Sequence, residues 1–381
     1  MRLILIATAL LLAACSPAAD PSPDRLVILR DGDVVTIDRD GSNPTTVASA
    51  VDGTFFQPIW SPDRDLLAFG SIGSQWAIAV ARVSDGEVFT SETDNLPFYF
   101  SWSARNELGL LRNGDQGLNL ETVSFSEAGL SSPTVVGKGQ PLYYSWSQDG
   151  SELVAHIGLD QLIISDGEQE DPLPISPGGF AAPAWTERGI YAVAAAEDQQ
   201  SLVLLDRNGA AETVATLGRM TNLVPNRDGS QVALQTLAPE QQFQSASFQQ
   251  IPRVAANRLV VLDTATGDLT AVSSEPVLAF FWSPAHNRLL VLDVVDGAQA
   301  RWSVWSEGTL DELVRFDFEE SFLTQFVPFF DQYAQSVSLW SPSGDAIAFP
   351  GRVDGRTGIW VQEIGSEPTW ISEGSWVSWA P

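Results

Sequence analysis

One short phrase returns eight times along this chain: an apolar strand ending in Trp or a stand-in, a tight polar turn, then a second apolar strand. The copies centre on Trp60 (IWSPDRDLLAF), Trp102 (SWSARNELGLL), Trp146 (SWSQDGSELVA), Trp185 (AWTERGIYAV), Val224 (VPNRDGSQVAL), Trp282 (FWSPAHNRLLVL), Trp340 (LWSPSGDAIAF) and Trp379 (SWAP, truncated). Their spacings are 42, 44, 39, 39, 58, 58 and 39 residues. A period near forty in a chain of alternating strands marks a blade repeat, which a single sandwich does not produce.

Three further strands fit between consecutive Trp positions. After Trp60 they are LLAFGS, WAIAVARV and EVFTSE, with Asp85-Gly86 turning the last pair. After Trp185 the scheme repeats as GIYAVAAA, SLVLLDRNG and ETVATLG. Four strands per unit, a to d from the Trp strand outward, predict an all-β propeller of four-stranded antiparallel blades. The turn after each Trp carries Pro-Asp, Asp-Gly, Arg-Gly or Ser-Gly, suited to a left-handed residue at its end. Trp60, Trp102, Trp146, Trp185, Trp282, Trp340 and Trp379 read as structural residues that fill the gap between neighbouring blades.

The two ends of the chain are complementary. After residue 24, RLVILRD, DVVTIDRDG and TTVAS supply strands b, c and d without an a, and GSWVSWAP supplies an a alone. Pairing the C-terminal strand with the first three closes the ring and removes its free edges. Seven complete units and one shared unit predict eight blades. The alternative is seven, should the Val224 unit merge with a neighbour.

Residues 1–14 read as a secretory signal, with Arg2 before an apolar run and small residues before Cys15, the single cysteine. Leu12-Ala13-Ala14-Cys15 resembles the lipobox of bacterial lipoproteins, which implies lipidation of Cys15. Residues 15–24 then form a lipid-bearing Cys and a Pro/Ala/Ser tether, and 25–381 a single propeller domain. No other run of eighteen apolar residues exists, so the expected address is the cell envelope, with the lipid as sole membrane contact.

Charge narrows the partners. With 20 Lys and Arg against 48 Asp and Glu the formal charge is -28, which repels phosphate backbones and anionic lipid heads. Nucleic acid is excluded, and the expected state is a monomer binding an envelope protein or peptide. The two histidines, His156 in a strand and His286 in a turn, read as structural or solvated, and they exclude a His-rich metal site. Asp38-Arg39-Asp40-Gly41 lacks the spacing of a calcium loop. No catalytic residue, metal or cofactor is assigned.

Two units are too long. The sixth inserts residues 238–256, rich in Gln, between strands b and c. The seventh inserts 318–336, rich in aromatics, between its strand d and the next strand a. Loops of this length in a compact repeat are functional or disordered. Both connection types leave a propeller on the same face, opposite the end where the tether enters strand b, so that face should point away from the membrane. In the second insertion Phe326, Phe329, Phe330, Asp331 and Tyr333 are the candidate partner-binding residues, as an exposed aromatic patch. The competing arrangement folds these rings, with Phe322, back to plug the central channel or to pack on the eighth blade.

The copies IWSPDRDLLAF, SWSQDGSELVA and LWSPSGDAIAF, with strands such as VVTIDRDGSN, resemble the TolB-type propeller repeat of bacterial periplasmic proteins, over nearly the whole mature chain. The repeat is also similar to the propeller of dipeptidyl peptidase IV-like enzymes. The first likeness implies a protein-binding platform, the second a gating domain for a serine peptidase. The chain departs from TolB proper in its lipobox, in eight units where TolB has six, and in lacking the domain that precedes the propeller there. A peptidase needs a nucleophile elbow, and no G-x-S-x-G is present. The expected role is a non-enzymatic binding or scaffold module. The rival is a propeller hydrolase or lyase acting on peptide or glycan through carboxylates at the channel mouth.

Overall fold

In the second unit strands b and c are continuous apolar runs because neighbouring units cover both of their faces. Leu66–Ile72 and Trp76–Arg82 are each buried over five consecutive residues, whereas the outermost strand Val88–Thr93 alternates between exposed and half-buried. The structure, a computed structural model, describes residues 24–50, 53–115, 117–179, 181–196, 199–217, 220–237, 257–273, 275–295 and 299–381. The signal segment, Cys15, the tether to residue 23 and the insertion 238–256 lie outside the described residues.

The chain is an all-β propeller whose strands run antiparallel from the channel outward in each unit. Its ring closes as the complementary ends require. Trp376–Trp379 pairs antiparallel with Arg25–Arg30, from Leu26 opposite Trp379 to Leu29 opposite Trp376, and completes the sheet with Asp33–Asp38 and Thr45–Ala48. Arg39 then reaches across to the eighth unit, donating to Glu363 at 3.0 Å and Asp345 at 3.5 Å.

Among the described residues the eight units occupy seven hydrogen-bonded sheets. The merger anticipated at Val224 does not occur: Met220–Pro225, Gln231–Leu237, Asn257–Asp263 and Leu269–Ser273 form a sheet of their own. Continuity arises instead between units seven and eight. The strands Thr309–Phe318 and Ala346–Val353 overrun their neighbours and pair through Asp317 with Arg352 and Phe318 with Gly351. Gly351 is needed at this joint, since a Cβ there would lie 2.6 Å from the buried Phe316 ring. The eighth strand a is reduced to a bridge from Trp340 to Ile347, because the chain reaches it straight from the helical insertion.

The repeated Trp side chains join successive units. The indole N–H groups of Trp146, Trp340 and Trp379 donate to the carbonyls of Ser101, Phe281 and Leu339 at 3.3, 3.0 and 3.1 Å. Each acceptor is the residue just before the preceding unit's Trp. Trp282 donates to Val224 itself at 2.9 Å, so the unit that lacks a Trp is still held by its successor. Trp60, Trp102, Trp340 and Trp379 are at most 8% exposed, while Trp146, Trp185 and Trp282 are half-buried.

A second feature of the phrase emerges only in the fold. The residue after Trp is Ser in five copies and Thr in a sixth. Its hydroxyl fastens the turn: Ser61 accepts from Leu66 N–H at 2.9 Å, Ser147 from Glu152 at 3.1 Å and Ser341 from Ala346 at 3.1 Å.

Candidate functional site

Backbone groups on the inner edge of a strand a need partners when that edge is buried. The insertion 318–336 meets this requirement by folding inward as Phe322–Phe326, Val327–Phe329 and Phe330–Tyr333, three short helical turns. The Glu319 carboxylate accepts the Phe322 N–H at 3.0 Å and starts the first turn.

Gln332 imitates a paired strand residue: its amide donates to Tyr144 O at 2.7 Å and accepts from Tyr144 N at 2.9 Å. The Tyr99 hydroxyl donates to Gln332 O at 2.9 Å, and that of Tyr333 to Phe98 O at 3.1 Å. Gln335 donates to Pro183 O at 3.3 Å, and Asp331 accepts the Ala182 N–H at 3.2 Å. One segment thus satisfies five backbone groups of units three, four and five.

Aromatic contacts fill the remaining space. Phe326 lies 4.9 Å from Phe322 and from Tyr333, and 5.8 Å from Trp376 of the closing strand. Phe330 meets Phe280 at 4.8 Å and Phe281 at 5.9 Å. The insertion therefore plugs the channel. Of the five candidate partner-binding residues, Phe326, Phe330, Asp331 and Tyr333 are at most 4% exposed, and Phe329 alone, at 50%, offers its ring to solvent. The exposed-patch arrangement is corrected to that extent: the rings have nearer partners inside the ring than a second protein could supply.

Asp331 is the one buried carboxylate of this plug. Burial raises its pKa to about 6, against the opposing donors Ala182 N–H, the Asn222 side chain and Gln332 N–H. Burial likewise raises Tyr99 to about 12 and pushes Tyr333 and Tyr143 well above the phenol range. His156, 2% exposed with Nδ1 3.4 Å from Ala181 O, is held below its ordinary pKa by burial. His286 sits in its turn, where its backbone N–H donates to Ser283 Oγ at 3.3 Å. Asp38 accepts from Asn43 at 2.7 Å and Asp40 from Ser42 N–H at 2.8 Å, as turn residues. Among the described residues no group of three His, Cys, Asp or Glu is placed to hold a metal ion.

The other mouth, on the side of the Trp-bearing turns, is open among the described residues. There a cavity of about 380 Å³ is walled by Trp60, Trp102, Trp282, Trp340 and Trp379, floored by residues 334–339 and rimmed by Arg227 and prolines. Six of the eight units contribute to it, and none of its lining residues is Asp or Glu. The sequence signal for this funnel was the repeated Trp itself, whose ring serves the inter-unit gap and the channel mouth together.

No protein-family model matches the chain, and no curated protein is detectably similar in sequence. Solved structures do share its fold. The Dos1 propeller superposes with a TM-score of 0.54 at 12% identity, covering 92% of this chain and 91% of that one. An oligogalacturonate lyase in complex with manganese gives 0.50 at 13% identity, covering 90% and 86%. TolB from Acinetobacter baumannii gives 0.44 at 16% identity over 78% of this chain, which spans 64% of the TolB chain. At such identities the likeness shows the β-propeller fold alone. Since a lyase stands among these structures, the fold by itself selects no activity. Among the described residues no helix is long and apolar enough to cross a membrane.

Proposed function

We propose that this chain is a lipid-anchored, TolB-like propeller acting as a non-enzymatic protein- or peptide-binding module of the bacterial cell envelope. The observation that carries the reading is the pairing of a plugged channel with an open Trp-walled funnel of about 380 Å³, a size and lining suited to large apolar side chains. The rival enzymatic reading draws on Asp331, the buried carboxylate raised to about 6. That group is enclosed by protein donors inside the plug, which leaves no place for a substrate beside it.

Lipid on Cys15 and a tether ending at residue 24 turn the funnel toward the membrane, in a gap of roughly 25 Å at about 3 Å per extended residue. Such a gap admits an extended segment more readily than a second folded domain. Filling the funnel tests the proposal. Pro62 and Pro284 are exposed residues of its lining, so Pro62→Trp with Pro284→Trp closes the mouth without touching the core. Peptides selected on the intact protein should lose binding to this variant at unchanged melting temperature. Retained binding, or turnover of peptide or glycan by the intact protein, would sink the reading.

A further inference from the structure

The funnel is a concavity without acidic side chains in a strongly acidic surface. Three other grooves among the described residues carry acidic side chains: one is lined by Asp24, Asp38, Asp40, Glu363 and Glu367, another by Asp63, Asp65 and Glu127, and a third by Glu307. The chain holds 48 acidic residues, so their absence from a twenty-residue lining is a local reversal of its charge.

Arg227 sharpens that reversal. It is the only charged side chain of the lining, it is exposed at the rim, and it makes no ion pair or hydrogen bond among the described residues. Several other arginines near the turns are engaged, Arg39 with Glu363, Arg82 with Glu87, Arg105 with Asp149 and Arg207 with Glu152, whereas Arg64, also without a side-chain partner among the described residues, lies outside the lining. The adjacent Asp228 does not neutralise it, because its carboxylate is turned into its own loop and accepts the Ser230 N–H at 2.9 Å.

We propose that the funnel recognises an extended peptide segment in which a large apolar side chain, seated at the mouth against the half-buried Trp282 ring and the exposed Pro62 and Pro284, stands next to an Asp or Glu whose carboxylate pairs with Arg227. This rests on the binding role proposed above and adds the chemistry of the ligand. Three observations define the occupant. The wall is aromatic and carries no acidic side chain, so the seated group is apolar. The floor is closed by residues 334–339, and no cationic side chain lies there, so the carboxylate stays at the rim as a side chain and does not enter as a chain terminus. A net charge of -28 repels an acidic domain at long range, so the carboxylate belongs to an otherwise apolar stretch. At an exposed rim the ion pair contributes selectivity more than affinity.

The experiment pans a phage-displayed random dodecapeptide library against the intact lipoprotein in detergent. It is repeated on Arg227→Glu, on the funnel-filled Pro62→Trp, Pro284→Trp protein, and on Arg64→Glu. The last makes the same charge change at a turn on the same face but outside the lining. The expected result is enrichment of Asp or Glu beside Trp, Leu or Pro on the intact protein and on Arg64→Glu, with Lys or Arg replacing the acid on Arg227→Glu. A synthetic copy of a selected peptide should bind Arg227→Gln roughly fivefold more weakly. Peptides that need the open funnel yet show no acidic enrichment, or that ignore Arg227→Glu, overturn the inference and leave the binding role standing. A synthetic copy that binds through a free C-terminal carboxylate and loses nothing when its side-chain acid is replaced by Asn or Gln overturns the side-chain assignment. Peptides indifferent to the filled funnel, or no selected peptide at all, overturn the binding role and this inference with it.

Discussion

Asp331 ties the plug to the ring at a measurable electrostatic cost. It is 4% exposed, accepts from the Ala182 and Gln332 amides, and has its pKa raised from 3.8 to about 6 by burial. The folded state therefore binds this proton more tightly than the unfolded chain does. Above pH 6 the ionised form destabilises the fold by about 3 kcal/mol, since each tenfold tightening of proton binding is worth about 1.4 kcal/mol. That penalty is relieved as pH falls through 6 and is gone below about 4. Asp331→Asn removes the charge and keeps one oxygen for the Ala182 N–H, while the Asn222 side chain can turn to meet the new amide.

The variant should be more stable than the parent by about 2 kcal/mol at pH 8, after roughly 1 kcal/mol for imperfect rearrangement of these donors. Near pH 4.5 the advantage should shrink to about zero. Urea unfolding of both proteins at pH 8, 7, 6, 5 and 4.5, read as the difference between them, cancels the acid effects of the other carboxylates. A difference that stays constant across this range, or a variant less stable by the same amount at pH 8 and pH 4.5, would refute the electrostatic account of the plug.

The remaining predictions concern the same framework. Gln332→Ala strips the Tyr144 N–H and C=O of buried partners and should cost about 2–4 kcal/mol, read as a lower urea midpoint. Adjacent rings should respond oppositely: Phe330→Ala, 2% exposed, should cost about 3–5 kcal/mol, and Phe329→Ala, at 50%, less than about 0.5 kcal/mol. Equal costs would mean that the plug is not seated as described. Gly70→Ala places a Cβ 1.9 Å from the Phe56 ring and should lower the melting temperature by displacing that ring. A melting temperature equal to the parent's would contradict the contact.

What could be read along the chain was what local patterning controls. The four-strand period, the turns after Trp and the complementary ends near residues 25–48 and 376–379 are properties of short segments, and ring closure follows from their count. The Ser after Trp is equally visible, yet a hydroxyl in a polar turn has no periodic signature of its own to mark it as a fastener. The seven-sheet arrangement was not visible. It depends on how far the strands ending at Phe318 and Val353 overrun, which is set by packing around Phe316 and Gly351.

The insertion marks the boundary between the two kinds of information. Its aromatic composition sufficed to single it out, but a plug and an exposed patch demand the same rings. Tertiary structure decided between them by bringing Phe98, Tyr144, Ala182, Phe281 and Trp376, distant in sequence, around residues 322–335. The funnel was decided in the same way. Its lining joins Trp60 and Trp379, almost the whole chain apart in sequence, and its freedom from acidic side chains is a property of a surface assembled from six units. The sequence by itself determined a closed, repeating β-ring with one anomalous aromatic loop. The tertiary structure decided that this loop folds into its mouth of the channel as a plug, because burial depends on partners that only ring closure brings within reach.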